Sequence, residues 1–450
     1  MRLRSLSAAA YLLWSACVAG HPTGFEYLGK RQDADNYWVA TWTSMPQLVE
    51  QSNLPPSPFT GSSVFKDATL RQTLHMSIGA DRIRIQISNT FGGSDLPITA
   101  ASIALPTGGK AGANGIDTTT LKALTFNGSS SVTVPKGQVL YTDAIDFEIA
   151  PQSMITVTVY SQAGQSGTSI TGHPGSRTTS WMQSGNHLND STVTGASVAH
   201  WYFLTAVEAW APKTSSALVI LGDSISDGRG SDDNGNNRWP DLLLARMQTE
   251  GITNIAVVNQ AAGGNAVLTA SNGLGPALLD RYKRDLLQVA GAKYALIFEG
   301  VNDIGVSSAD SSTQTRIGSQ LEAAFKQIST DAKAAGITML GATITPFGGS
   351  GQAYSNTVRD SNRQTVNTWI LAGGDGSYDA TIDFAKIVAN PSNTAQLATQ
   401  YDGGDHLHPN VAGYQAIADQ FPLDVFQGSG KNVSRALHGL KQLQNNPRLW

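Results

Sequence analysis

Four short polar segments of this sequence carry residues that could perform acyl transfer. The first is the Gly222-Asp223-Ser224 turn of LVILGDSIS, which directly follows an apolar run. The others are NQAAGGN (259–265), GVND (300–303) and DHLHPN (405–410). Together they contain a hydroxyl, an imidazole, carboxylates and a side-chain amide, which are the groups that a serine-based acyl transfer requires.

A nucleophilic serine needs a base to accept its proton, and the base needs a carboxylate to orient it. Asp405 and His408 are three residues apart in a predicted turn ahead of a helix, so both side chains can lie on one side. Asp405 could then hold one ring nitrogen of His408 and leave the other nitrogen for Ser224. This spacing predicts Ser224, Asp405 and His408 as the catalytic residues.

The tetrahedral intermediate of acyl transfer also needs hydrogen-bond donors for its oxyanion. The backbone N–H groups of Ser224 and Gly264 are candidates, since no side chain at Gly264 blocks approach. The neutral side-chain amide of Asn302 is a third candidate. Gly263 is the alternative to Gly264, one position earlier in the chain.

The polar segments are expected to meet because of the elements that precede them. From about 215 to 427, short apolar runs alternate with helical stretches, one of which carries Ile317, Leu321, Phe325 and Ile328 on a single face. The pattern predicts an α/β fold with a parallel sheet, whose strands expose their carboxyl ends at one edge. The strand candidates are 217–221, 255–259, 294–298, 338–344 and 381–384.

A different periodicity governs residues 36–210. Apolar and polar residues alternate in segments such as 82–87, 145–149 and 155–160, and Gly-rich turn clusters separate them. Half-buried strands without intervening helices predict an antiparallel β-sandwich of jelly-roll type. The sequence therefore predicts a β-sandwich domain at 36–210 and a catalytic α/β domain at 215–427, followed by a C-terminal tail at 428–450.

The motifs GDSIS, QAAGGN, GVND and DHLHPN resemble, in order and spacing, the four blocks of the GDSL/SGNH hydrolase superfamily over about 218–425. The resemblance implies a flavodoxin-like three-layer α/β/α fold and a serine esterase that needs no cofactor or metal. It makes Ser224 the nucleophile and an oxyanion donor, and it assigns His408 as base and Asp405 as its orienting acid. Gly264 and Asn302 become the second and third oxyanion donors.

Three stretches are similar to secreted fungal and bacterial members of that superfamily that carry an N-terminal β-sandwich, namely GDSISDGRGSDDNGNNRWPDLL (222–243) and the upstream WVATW (38–42) and RIRIQISNTFG (82–92). Two departures from the family pattern are Ser226, where many relatives have threonine, and Ala261, where many have glycine. Neither position carries a catalytic role.

Other interpretations of the same residues are weaker. The Gly-x-Ser-x-Gly elbow of α/β-hydrolases is missing around Ser224. A metal site at Asp405, His406 and His408 lacks a further cluster of histidines or cysteines. We interpret Glu299 and Asp303 as structural. Tryptophans of the first half could stack on sugars, but core packing explains most of them.

The N-terminus predicts secretion. Residues 1–20 have Arg2 and Arg4 followed by a short apolar stretch and small residues, as in a signal peptide. Lys30-Arg31 could end a pro-segment at 21–31. The only cysteine, Cys17, lies inside the signal, so the mature chain has no disulfide. Sequons at Asn127, Asn189 and Asn432 fit a glycosylated extracellular protein.

The net charge of the sequence argues against two classes of binding partner, nucleic acids and anionic membranes. A net charge of −4 and a pI near 6.1 provide no basic field for nucleic acid or anionic lipid, and no transmembrane segment is predicted. The expected function is a secreted serine esterase acting on a small-molecule, lipid or acetylated-polysaccharide ester. The alternatives are a polysaccharide deacetylase of the same mechanism and a non-catalytic carbohydrate-binding protein. Loops 228–237, 266–276 and 346–356 are expected to set the acyl and alcohol preferences, and the oligomeric state stays open.

Overall fold

The computed structural model describes residues 35–270 and 274–426. The predicted signal, the pro-segment, the sequon at Asn432 and the C-terminal tail lie outside the described residues. Within residues 36–212 the alternating segments form strands, as their periodicity predicts. They are β1 Asn36–Thr43, β2 Gln47–Leu48, β3 Ser63–Val64, β4 Ala68–His75, β5 Ala80–Ser88, β6 Leu96–Ile98, β7 Ala100–Pro106, β8 Ile116–Leu124, β9 Val132–Val134, β10 Val139–Tyr141, β11 Ile145–Ile149, β12 Met154–Ser161, β13 Gln165–Ser166, β14 Thr171–His173, β15 Ser180–Ser184, β16 Ala196–Val198, β17 Trp201–Tyr202 and β18 Leu204–Pro212.

Two main antiparallel sheets make up this half. One has the order β1-β18-β5-β10, with β11 also paired to β5, and the other has the order β16-β15-β4-β12-β7-β8. Ile83, Ile85 and Ile87 of β5 are buried, and so are Ile155 and Val157 of β12, all in one hydrophobic core. The prediction of mainly antiparallel strands is confirmed. Burial alternates along β5, but β12 is buried along its whole length and β4 at every residue except the last, so the expectation of half-buried strands was wrong for these two.

The second half alternates strands and helices. Its strands are β19 Ser216–Gly222, β20 Ile255–Ala261, β21 Ala292–Phe298, β22 Thr338–Ala342, β23 Ala380–Ile382, β24 Ala389–Asn390 and β25 Asn393–Leu397. Its α-helices are α1 Ser224–Asp227, α2 Trp239–Thr249, α3 Leu278–Tyr282, α4 Val301–Val306, α5 Ser311–Ala334, α6 Thr357–Leu371, α7 Phe384–Val388 and α8 Val411–Gln420. Among the helices that the structure describes, none combines the length and the hydropathy needed to cross a bilayer.

Five of these strands form a parallel sheet in the order β20-β19-β21-β22-β23. The apolar run 218–221 is the central part of β19 and is fully buried between its two neighbours. Gly222 at the end of β19 lies opposite Ala261 of β20 and Phe298 of β21. The three strands therefore end at the same level, and the segments that follow them start side by side.

The antiparallel half, residues 36–212, closes the edge of the parallel sheet at β20. Ser77 Oγ accepts a hydrogen bond from the Val257 N–H at 2.7 Å, and Thr43 Oγ1 donates to the Asn259 carbonyl at 3.0 Å. The buried side chains of Val39 and Ile78 belong to the same hydrophobic cluster as β19 and β21. An open strand edge is a site for unwanted pairing, and here it is satisfied from within the chain. The division into two domains stays a prediction, because the described residues from Asn36 onward form one compact unit.

Candidate active site

Ser224 is the first residue of α1, directly after the end of β19. Asp223 caps this short helix, since its side chain accepts a hydrogen bond from the Ile225 N–H at 2.9 Å. A Cβ atom at Gly222 would lie 2.7 Å from Ser226 Oγ, which explains the need for glycine before the turn. The strand exit thus holds Ser224 at the sheet edge with only 8% of its surface exposed.

The structure brings Ser224, His408 and Asp405 together. Ser224 Oγ lies 2.7 Å from His408 Nε2, and His408 Nδ1 lies 2.7 Å from Asp405 Oδ2. Asp405 Oδ1 also accepts hydrogen bonds from the backbone N–H groups of Leu407 and His408, at 3.0 and 2.9 Å. The hydrogen bond from the His408 side chain, together with those backbone bonds, holds the pKa of Asp405 well below its usual range. The carboxylate is therefore ionised, and it fixes the orientation of the ring.

The predicted backbone donors lie around the same space. In the part of the chain that the structure describes, the N–H groups of Ser224 and Gly264 donate to no protein acceptor. Gly263 and Gly264 both line the cleft that contains Ser224. Gly264 has a φ of +69°, and a Cβ atom there would lie 2.4 Å from Leu274 Cδ1. A side chain at position 264 would therefore clash with Leu274, and the choice of Gly264 over Gly263 as donor stays a prediction.

Asn302 lies in the first turn of α4 and is 4% exposed. Its Nδ2 donates to the Asn265 carbonyl at 2.8 Å, and its Oδ1 accepts from the Tyr354 hydroxyl at 2.9 Å. Because a side-chain amide has two N–H groups, one remains for a ligand. The two bonds fix the plane of the amide. Sequence reasoning missed Tyr354, which is 52 residues away along the chain.

A buried arginine joins the strand ends beneath the site. Arg281 is 1% exposed, and its Nε donates to Asn265 Oδ1 at 2.9 Å. Its Nη atoms donate to the Gln260 carbonyl at 2.7 Å, the Gly222 carbonyl at 3.2 Å and Glu299 at 3.4 Å. Arg281 thereby ties the ends of β19 and β20 to the loop that carries Gly264. Its position in a predicted helical stretch gave no sign of this role.

Two buried carboxyl groups pair with Arg281, since its Nη atoms also donate to Asp285 Oδ2 at 3.3 Å besides Glu299. Asp223 and Asp303 are buried as well and interact electrostatically with Glu299. Burial raises the pKa of Glu299 to about 8 and that of Asp223 to about 7. Burial also raises the pKa of Asp303 to about 6, although its carboxylate accepts from the Val267 and Leu268 N–H groups at 2.8 and 2.9 Å. Within the described residues, Glu299 Oε1 has no hydrogen-bond partner. These contacts agree with the interpretation of Glu299 and Asp303 as structural residues.

Ser224 opens into a cleft of about 420 Å³. Among the described residues, each loop expected to set specificity contributes one residue, namely Arg229, Leu274 and Tyr354. Sequence reasoning missed the other wall of the cleft, which comes from the antiparallel half. That wall is formed by Gln47, Glu50, Asn53, Pro174, Gly175, Arg177 and His200. The antiparallel half is therefore part of the site.

His406 and His408, which the weaker metal-site interpretation would place on one ion, contact different groups. His406 Nδ1 lies 2.5 Å from Asp402 Oδ2, whereas His408 faces Asp405 and Ser224. Among the residues that the structure describes, no group of three or more histidines, cysteines or carboxylates could hold a metal ion. The two neighbouring histidines thus have separate carboxylate partners.

The chain matches one family model, that of the GDSL-like Lipase/Acylhydrolase family, over residues 220–416. The matched segment is less than half of the chain, and it contains all four polar segments. A search of curated proteins found no match.

Solved structures similar to this chain include enzymes from three bacteria. A GDSL-like lipase from Bacteroides thetaiotaomicron is 16% identical and covers 48% of this chain and 91% of its own, with a TM-score of 0.35. A lipase/acylhydrolase from Enterococcus faecalis is 20% identical, with coverage of 46% and 92% and a TM-score of 0.34. A variant of an acetyl xylan esterase from Geobacillus stearothermophilus is 20% identical, with coverage of 48% and 99% and a TM-score of 0.34.

Proposed function

We propose that this protein hydrolyses carboxylic esters with Ser224 as nucleophile, His408 as base and Asp405 as the orienting acid. The observation that carries the proposal is the continuous line of contacts from Ser224 Oγ through the His408 ring to Asp405, with two gaps of 2.7 Å each. The match of residues 220–416 to an acylhydrolase family supports the same chemistry.

In the acylation step, Ser224 Oγ attacks the ester carbonyl carbon while its proton passes to His408 Nε2. The C=O bond opens to an oxyanion, which accepts hydrogen bonds from the Ser224 and Gly264 N–H groups and from the Asn302 amide. Collapse of the intermediate breaks the bond to the alcohol oxygen, and that oxygen takes the proton from His408. A water molecule then repeats the sequence on the acyl-enzyme and releases the acid. These steps use no metal or cofactor.

Two further proposals concern the surroundings of this chemistry. The strand order of the parallel sheet, with the second strand at the edge and the first beside it, supports a flavodoxin-like arrangement. The two main antiparallel sheets support a sandwich of jelly-roll type. We also propose an extracellular location, which rests on the signal-like residues 1–20 and on the sequons.

The direct test is hydrolysis of an aryl acetate by the wild-type protein and by Ser224→Ala. We expect turnover by the wild type and a loss of at least 10³-fold in kcat for the variant, since the nucleophile is removed. Ser231→Ala is the matched control, because Ser231 lies further along the same segment and, among the residues that the structure describes, its hydroxyl bonds only to the Gly228 carbonyl. Equal rates for Ser224→Ala and wild type would contradict the proposal. An inactive wild type that still bound polysaccharide would favour the binding-protein alternative.

A further inference from the structure

The cleft contains a buried carboxylate, Asp227, that has no role in the proposed ester hydrolysis. Asp227 is 3% exposed and ends the four-residue helix α1 that Ser224 begins. Residues three apart on a helix lie on the same face, so Asp227 is a close neighbour of the nucleophile. Asp227 also lines the cleft. A carboxylate at this position would oppose the developing oxyanion unless its charge were balanced.

His173 of the sandwich supplies that balance. His173 Nε2 lies 2.8 Å from Asp227 Oδ1, and Nδ1 lies 3.0 Å from the Met45 carbonyl oxygen. The Met45 oxygen only accepts, so Nδ1 must carry a hydrogen. The contact at Nε2 then requires one more proton, which belongs either to the ring or to the carboxyl group. In both cases the His173–Asp227 pair has no net charge.

The second oxygen of Asp227 lies beside two glycines that line the cleft. Within the described residues, Oδ2 accepts no hydrogen bond, although the side chain is almost fully buried. A Cβ atom at Gly175 would lie 1.7 Å from Oδ2, and one at Gly263 would lie 3.9 Å from it. Both glycines line the same cleft as Ser224. The structure thus holds one rigid, unused acceptor between two positions without side chains.

The wall that continues from this pair is polar. Glu50 accepts hydrogen bonds from Gln47 Nε2 at 2.5 Å and from Asn53 Nδ2 at 2.9 Å, and all three residues line the cleft. His200 lies on the same wall. Such a wall favours a ligand that carries several hydroxyl groups over a long hydrocarbon chain, because buried polar groups need partners.

We propose that Asp227, oriented by His173, is a specificity-determining residue that accepts a hydrogen bond from a free hydroxyl of the substrate. The inference rests on the proposed ester hydrolysis and adds a substrate class to it, namely partially acylated sugars and other hydroxyl-bearing esters. The sandwich half then takes part in substrate selection through His173, Gly175 and the polar wall.

The test compares kcat/KM for two substrates that differ by one hydroxyl. One is a monoacetylated methyl pentopyranoside with a free hydroxyl next to the ester, and the other is its deoxy analogue. We expect the wild type to prefer the hydroxylated substrate by roughly 10- to 100-fold, the range for a hydrogen bond to a charged group. In Asp227→Ala this ratio falls towards one. A second pair consists of the glycolate and acetate esters of one simple alcohol. A preference for the glycolate ester would show that Asp227 binds a hydroxyl of the acyl group and not of the alcohol.

Asp190→Ala is the matched control, because Asp190 pairs with His187 at 2.7 Å and does not line the cleft. It should leave the ratio unchanged. Asp227→Asn keeps the shape of the side chain, and we expect it to fold and to show a reduced ratio. The preference is read as a ratio, which a general loss of activity does not alter.

The inference would be overturned by a wild type that shows no preference in either substrate pair, or by a ratio that stays the same in both Asp227 variants. In the latter case Asp227 would only position α1. An inactive wild type on every ester would instead refute the proposed function itself.

Discussion

At the residue scale, the proposed chemistry depends on donors whose orientation is set before a substrate arrives. Asn302 is held from both ends of its amide, by the Asn265 carbonyl and by the Tyr354 hydroxyl. Arg281 in turn holds the side chain of Asn265. A donor fixed in this way stabilises an oxyanion without reorganising during the reaction, which is why such sites contribute strongly to catalysis.

Asn302→Ala should lower kcat for an aryl acetate by roughly 10²- to 10³-fold, since it removes one oxyanion donor. KM should change much less, because the oxyanion forms only in the transition state. Tyr354→Phe keeps the amide and removes only the bond to its oxygen, so its loss in kcat should be smaller. A kcat for Asn302→Ala within threefold of the wild type would contradict the role of Asn302.

Glu299→Gln should weaken the pH dependence of stability. Burial raises the pKa of Glu299 to about 8 in the folded protein, against about 4.5 when exposed. Between pH 4.5 and pH 8 the folded state therefore binds a proton at Glu299 that the unfolded state does not bind. The free energy of unfolding falls as the pH rises through this range. Thermal unfolding followed from pH 5 to pH 8 should show a smaller decline for the variant than for the wild type.

Charged neighbours also influence the pKa of Glu299, so the control variant changes a carboxylate that is exposed. Arg281 opposes the shift, while Asp223 and Asp303 add to it. Glu148→Gln changes an exposed carboxylate of the sandwich and should leave the decline as it is in the wild type. If Glu299→Gln and Glu148→Gln behaved alike, Glu299 would not be the titrating group.

At the element scale, the edge strand β20 depends on side chains from residues 36–212. Ser77 is 1% exposed, and its hydroxyl satisfies the partly buried Val257 N–H. Ser77→Ala should reduce the free energy of unfolding by about 0.5–1.5 kcal/mol, the usual net contribution of one hydrogen bond. Chemical denaturation measures this loss. The exposed Ser130→Ala is the control, and an equal effect of both variants would show that the contact does not stabilise the edge.

At the scale of the whole molecule, one hydrophobic cluster runs from the sandwich into the parallel sheet. Val39, Ile78 and Ala209 belong to it together with β19 and β21. We therefore expect a single cooperative transition in differential scanning calorimetry, with equal calorimetric and van't Hoff enthalpies. Two separated transitions would mean that the halves at 36–210 and 215–427 are independent domains.

The sequence predicted the elements whose signals are local. The apolar run 218–221 predicted a central buried strand, and α8 begins at Val411 as the preceding turn indicated. Arg281, Tyr354 and the His173–Asp227 pair were missed, because each acts through contacts between distant segments. His173 is 54 residues from Asp227, and although Asp227 directly follows the GDSIS motif, nothing in that stretch indicated a histidine partner. Local periodicity carries no information on such pairings.

Covalent labelling with a fluorophosphonate shows whether Ser224 is an activated nucleophile. We expect a mass increase of one phosphonyl group per chain, located by peptide mapping at Ser224 and absent in Ser224→Ala. His408→Ala should slow the labelling strongly, because the base is lost. A native protein that takes up no label, or takes it up on another residue, would contradict the role of Ser224 as nucleophile.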